Sequence, residues 1–323
     1  MPRSAWRRSS KGQRTYAVTA SRQLQGMLED SLRELYADCW RDINRTAGEY
    51  FKKLEERDAE MRAQLEAGLI TDERYYQWRI TQLGRGERWL AMRDQMAQRM
   101  TRADREAAAF INDRAADMYA LNYNYTAYTI EALGAEGVDF TLIDEHALRE
   151  LTAANHVNFR VACVDPVRDY TWNASQIQRL LTESIVKGDA VDQMAASFLT
   201  VMRRNETAAV RNARTAMTSA RNAGTQAAME QGEEMGIEAL KEWIAADDDR
   251  TRESHAELDG VRVGIDELFP NGLEYPGDPA GEPAEVYNCR CTMRSVFPGF
   301  ESAQARTDHT RESYETWRAQ KGG

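Results

Sequence analysis

Apolar positions recur three or four apart through most of the first 235 residues, a spacing that places them on one face of a helix. Leu28, Leu32, Leu35, Cys39, Ile43, Ala47, Tyr50 and Leu54 form the first stripe, so a long helix is expected from about Ser21. Gly68 interrupts it, and Thr71 followed by Asp72 and Glu73 supplies a cap and first-turn acids for a second helix over about 72–100. That helix carries Tyr76, Ile80, Leu83, Leu90, Met96 and Met100. A kink or break is expected at Gly84 and Gly86, because glycine costs about 1 kcal/mol in a helix interior. A third helix over about 102–133 has the seam Ala108, Ile111, Ala115, Met118, Asn122, Tyr125, Thr129 and Ala132, which asks for a partner helix. Residues 138–143 read as a short strand or an extended entry into a helix at about 144–156, and 157–173 as irregular.

Two more stripes follow. Ile177, Leu180, Leu181 and Ile185 run to the stop Gly188-Asp189, and Val191, Met194, Ala195, Phe198, Leu199 and Met202 begin the next helix, so a helical hairpin is expected. A separate helix over about 205–235 has the seam Val210, Ala213, Met217, Ala220, Gly224, Ala227 and Gln231. Its small side chains allow close backbone approach, which places it deep in the domain. Arg211, Arg214 and Arg221 lie on its other faces, and Arg214 and Arg221 suit pairing with Asp247, Asp248 and Asp249 or contact with phosphates.

After residue 236 the pattern changes to short apolar runs among turn residues. Strands are expected within 237–246, 261–264 and 286–296, separated by a loop that holds Pro270, Pro276, Pro279 and Pro283. The fold class is therefore mainly α with a C-terminal α+β domain: an N-terminal bundle of long helices, then helices packed on a small antiparallel sheet. The expected division is a basic arm (1–18), an N-terminal helical domain (19–172), a C-terminal domain (173–298) and a loose polar tail (299–323) in which Trp317 is the one residue suited to docking.

Composition narrows the partners. The chain of 323 residues has 29% charged residues and a net charge of −10, and no apolar run approaches the roughly 18 residues of a membrane span. No export signal is read at the N-terminus, so synthesis in the cytoplasm is expected. Residues 1–22 carry +6 with no acid, leaving −16 for the rest. DNA affinity comes mainly from cations on phosphates, so any DNA contact is expected through Arg3, Arg7, Arg8, Lys11 and Arg14. Tyr119, Tyr123, Tyr125 and Tyr128 offer faces for base stacking. No Lys or Arg lies between Arg114 and Arg149, however, so packing or a protein partner is the better reading of them. Cys39 and Cys163 read as buried small hydrophobes.

The candidate chemistry lies between Trp243 and Arg294. Asp249, Arg250, Thr251, His255, Asp259 and Gly260 mark a short helix and its stop, with Asp249 or Thr251 as cap; Asn288, Cys289, Arg290 and Cys291 mark the return of the chain. In that helix Leu258 and Ala256 are expected to pack. On a strand, Cys289 and Cys291 share one face and Arg290 takes the other. His255, Cys289 and Cys291 supply three ligands for zinc where a structural site normally has four. The same three, with Asp249 orienting the imidazole, are the pieces of a thiolate nucleophile and base. A strand lacks the helix N-terminus that lowers a thiol pKa, and no phosphate loop, HExxH or GxSxG occurs, so no enzyme and no cofactor are expected, with zinc as the alternative.

The run D-x-R-T-R-x-x-H-x-x-L-D-G, the proline loop and N-C-R-C resemble the C-terminal domain of the Mu F-like minor head proteins of tailed phages, over about 175–297. Where some members of that family carry a cysteine, this chain has Arg252. The resemblance implies a virion protein inside the head near the portal, which binds the portal protein, with major capsid or scaffold protein as further partners. It also implies a part in head assembly and in DNA packaging or release. The contrasting readings are a cysteine- or metal-dependent, toxin-like enzyme centred on His255, Cys289 and Cys291, and a DNA-binding internal head protein.

Overall fold

The computed structural model describes residues 15–82, 87–246 and 248–322. Arg3, Arg7, Arg8, Lys11 and Arg14, Gly84 and Gly86, and Asp247 lie outside the described residues.

The chain is mainly helical with one three-stranded antiparallel sheet. In order it forms α1 (Tyr16–Glu66), α2 (Asp72–Ile80), α3 (Glu87–Glu131), α4 (Glu145–Ala153), α5 (Pro166–Lys187) and α6 (Val191–Glu234). There follow β1 (Leu240–Ile244), α7 (Glu253–Glu257), β2 (Arg262–Gly264), α8 (Pro283–Val286), β3 (Thr292–Val296), α9 (Glu301–Arg306) and α10 (Arg311–Gln320). One compact unit comprises Met1–Glu29, Ala109–Ala162 and Arg211–Gly323, the other Asp30–Ala108 and Cys163–Val210. The contacts thus group the chain differently from a cut at 172/173.

Two expected helix breaks are not made. Residues 102–133 do not start a new helix, because Thr101 donates its hydroxyl to Ala97 O at 2.8 Å and stays inside α3. The break expected near 205 is absent too. Asn205, a natural cap residue, donates instead to the Asp104 carboxylate at 3.1 and 3.2 Å, and α6 runs through. Thr71 does cap α2, accepting from Arg74 N, and Gly188 ends α5 in the left-handed conformation at φ 74°. Residues 138–143 are the extended entry, not a strand, with Asp144 capping α4.

The second unit has an aromatic core of Phe51, Trp89 and Phe198, whose rings lie 5.6 to 6.1 Å apart. Beneath it Asp104 accepts from Tyr36 Oη at 2.7 Å and from Asn173 and Asn205. Burial nevertheless raises its pKa above the usual carboxylate value. Cys39 is half-buried, its thiol pushed up to about 12 by burial, whereas Cys163 is exposed, contrary to expectation.

In the first unit the small-residue seam of α6 does what its composition asks. A Cβ on Gly224 would stand 2.3 Å from Tyr119 O, so only glycine permits this approach to α3. The four tyrosines of α3 are packed, each no more than 8% exposed. The tail is not loose. Tyr314 and Trp317 of α10 are buried against Tyr125 and Tyr128, Trp317 Nε1 donates to Glu131 Oε2 at 2.6 Å, and His309 O accepts from Tyr16 N.

The sheet runs in the order β2-β1-β3, with Leu240 opposite both Gly264 and Val296. Alternation along β1 sends Lys241 and Trp243 to one buried face. Glu242, between them, accepts from Arg262 and Arg294. Lys241 Nζ is satisfied by Ile265 O at 2.8 Å.

Candidate functional site

Trp243 organises the site from the centre of the sheet. Its fully buried indole packs edge-on against Phe269 of the proline loop at 5.0 Å and against the His255 ring at 5.2 Å. Leu258, Leu273, Val286, Cys289 and Cys291 complete this core.

The helix that delivers His255, α7, spans five residues and has no side-chain cap; its N-cap is Arg252, not Asp249 or Thr251. It is held from outside. Gly260, at φ 81°, donates its N–H to Trp243 O at 2.8 Å, and Asp259 accepts from Ala245 N at 3.0 Å. The Asp-Gly stop therefore turns the chain back onto β1. Leu258 packs inward, while Ala256 is exposed and does not pack.

Residues 286–291 are not part of a strand. Pro283–Val286 is the short α8, Asn288 takes the left-handed conformation at φ 57°, and Cys289 to Cys291 run extended into β3. Alternation survives without ladder pairing. Both thiols are buried and Arg290 turns outward to form an ion pair with Asp248. That pairing holds the Asp248 carboxyl well below the usual range.

His255 Nδ1 lies 3.6 Å from Cys289 Sγ and 3.4 Å from Cys291 Sγ, and the three side chains are at most 2% exposed. Its far nitrogen, Nε2, is 2.8 Å from Glu285 Oε2. Burial pushes Glu285 up, but the bonds from Asn271, His255 and Ser254 outweigh it and leave the carboxyl below its usual value. Cys291 accepts from the Cys289 thiol, which favours ionisation at Cys291 and disfavours it at Cys289.

Glu285 and not Asp249 orients the imidazole; Asp249 is exposed in the preceding turn. Thr251 bonds Asp248, Arg250 N donates to Asp248, and Arg252 donates to Tyr287 O. Arg214 does not meet the acidic turn either, since its guanidinium binds Glu29 at 2.9 and 2.8 Å.

One face of α6 clamps the returning chain. Thr215 Oγ1 accepts from Asn288 N at 3.1 Å and Thr218 donates to Cys289 O at 2.9 Å. Asn222 donates to Pro276 O and Cys291 O and accepts from Met293 N. Their spacing of three and four was visible in the sequence, but it was masked by the small-residue seam beside it. The proline loop is likewise packed, with Leu273 and Tyr275 to Asp278 buried, so its middle is core and not an open surface.

A sequence profile described as "Phage Mu protein F like protein" matches residues 175–294. Over residues 175–294 the chain is Mu F-like. The match takes in most of α5, all of α6, the sheet and the His255 and Cys289–Cys291 segments, stopping within β3. The chain is similar to part of a protein named NAD(+)–arginine ADP-ribosyltransferase EFV from Enterococcus faecalis. The two are 36% identical over 118 residues, 34% of this chain and 24% of that protein. It is also similar to an uncharacterized protein of Haemophilus influenzae, 32% identical over 128 residues, 39% of this chain and 26% of the other. The chain thus spans about a quarter of the length of these relatives. No solved structure matches it.

Proposed function

We propose that this chain is a minor component of a tailed-phage head. It associates with the portal vertex, is taken into the procapsid, and assists head assembly and DNA packaging or release by binding, with no reaction of its own. The observation that carries this reading is the Mu F-like match over 175–294, which covers the whole Trp243 core.

The burial of His255, Cys289 and Cys291 supports a pin and not a reaction centre, since a nucleophilic thiol must reach its substrate. The transferase name belongs to a relative of which this chain spans 24%, so it supplies no activity here by itself. Major capsid or scaffold protein are secondary partners in this reading, and the N-terminal cations are where DNA would touch.

Co-expression with the portal protein of the same phage tests the finer claim. Co-elution of the two on size exclusion supports it; separate elution across salt concentrations overturns portal binding.

A further inference from the structure

The cluster of one imidazole and two thiols has the dimensions of a chelate. Zinc held at 2.0–2.1 Å from nitrogen and 2.3 Å from sulfur in tetrahedral geometry requires N-to-S separations of about 3.6 Å. His255 Nδ1 stands 3.6 and 3.4 Å from the two sulfurs, and the three ligand atoms lie within 4.8 Å of one another.

The surroundings fit the same use. Glu285 occupies Nε2 of His255, which fixes the ring and leaves Nδ1 turned to the sulfurs, the arrangement by which carboxylates orient metal-bound histidines. Imidazole with two thiolates is a borderline-soft set that suits zinc and excludes calcium or magnesium, which need oxygen. The buried Trp243 Nε1, on the ring packed against His255, has no hydrogen-bond partner among the described residues.

We infer that His255, Cys289 and Cys291 bind one zinc ion, with a solvent-derived fourth ligand. The metal ties α7 to the segment entering β3 across 34 and 36 residues of sequence. It is a cross-link of the Mu F-like domain and holds whether or not the chain enters phage heads, so the two proposals fail separately.

The test uses the full chain purified under reducing conditions from zinc-supplemented cells, with metal content measured and cobalt(II) exchanged in. About one zinc per chain is expected, with a near-ultraviolet thiolate-to-cobalt band and visible absorption of tetrahedral type. Cys289→Ser and Cys291→Ser should lose both signals and Cys163→Ser, at an exposed cysteine, should keep them. Should the two cluster variants fail to fold, the wild-type cobalt spectrum decides alone. Wild-type protein with neither zinc nor a thiolate-to-cobalt band, or loss of the metal in Cys163→Ser, overturns the assignment.

Discussion

Glu285 Oε2 sits 2.8 Å from His255 Nε2, joining the four-residue helix α8 to the five-residue helix α7 across 30 residues of sequence. Neither helix is long enough to be stable alone. Glu285 also accepts from Ser254, so this one carboxylate bonds α7 at two side chains. Glu285→Ala leaves a buried imidazole N unpartnered and should cost about 1–3 kcal/mol, with Glu285→Gln costing less. Thermal unfolding of the two variants checks this; equal stability of Glu285→Ala and the wild type would contradict it.

Asn222 is the second anchor. Replacing it by alanine strands Pro276 O, Cys291 O and Met293 N in the interior, and a loss of about 3 kcal/mol is expected from these three unmet buried groups. Thr218→Val removes a single donor, to Cys289 O, and should cost about 1 kcal/mol. Denaturant titration separates the two, and a larger effect at Thr218 would refute the clamp as described.

Glycine to alanine changes at two helical sites should have opposite signs. Gly26 in α1 has nothing within 4 Å of its missing Cβ, so alanine there should stabilise by up to about 1 kcal/mol. At Gly224 the same propensity gain is outweighed, because the methyl meets Tyr119 O at 2.3 Å and the helices must part at a cost of several times that gain. Calorimetry of the pair is the check, and stabilisation by Gly224→Ala would sink the close-approach reading.

The docked tail should respond to pH through His309. Burial holds this imidazole below its ordinary value near 6.5, with Asp308 opposing and Tyr125 Oη 2.8 Å from Nδ1. The unfolded state therefore binds the proton first. The stabilisation is fully present above about pH 6.5 and is lost as pH falls below it. Protection factors of the 311–320 amides, corrected for the intrinsic pH dependence of exchange, should fall below about pH 6 in the wild type and show no such step in His309→Gln. The same step in both would assign it to another group.

The residues of the site were legible in the sequence to the extent that their chemistry is local. The DRTR-x-x-H and N-C-R-C runs announce His255, Cys289 and Cys291, and the shift of periodicity after residue 236 announces the sheet. Glu285 was not legible, because one glutamate in a proline loop carries no pattern until α8 turns it toward α7. A tertiary partner, Asp104, overrode the local signal at Asn205, and a bond to Ala97 O within the same helix did so at Thr101; both side chains look like helix caps and are used instead inside helices. The polar composition of 299–323 hid Tyr314, which docks beside the expected Trp317 because α10 puts both on one face.

The most direct measurement of the central claim, that the chain is a minor component of a phage head, is quantitative mass spectrometry of procapsids and mature virions purified from a lysate that produces this chain. The account predicts peptides from the Mu F-like domain in the procapsid at low copy relative to major capsid protein. Absence from both particles would contradict it.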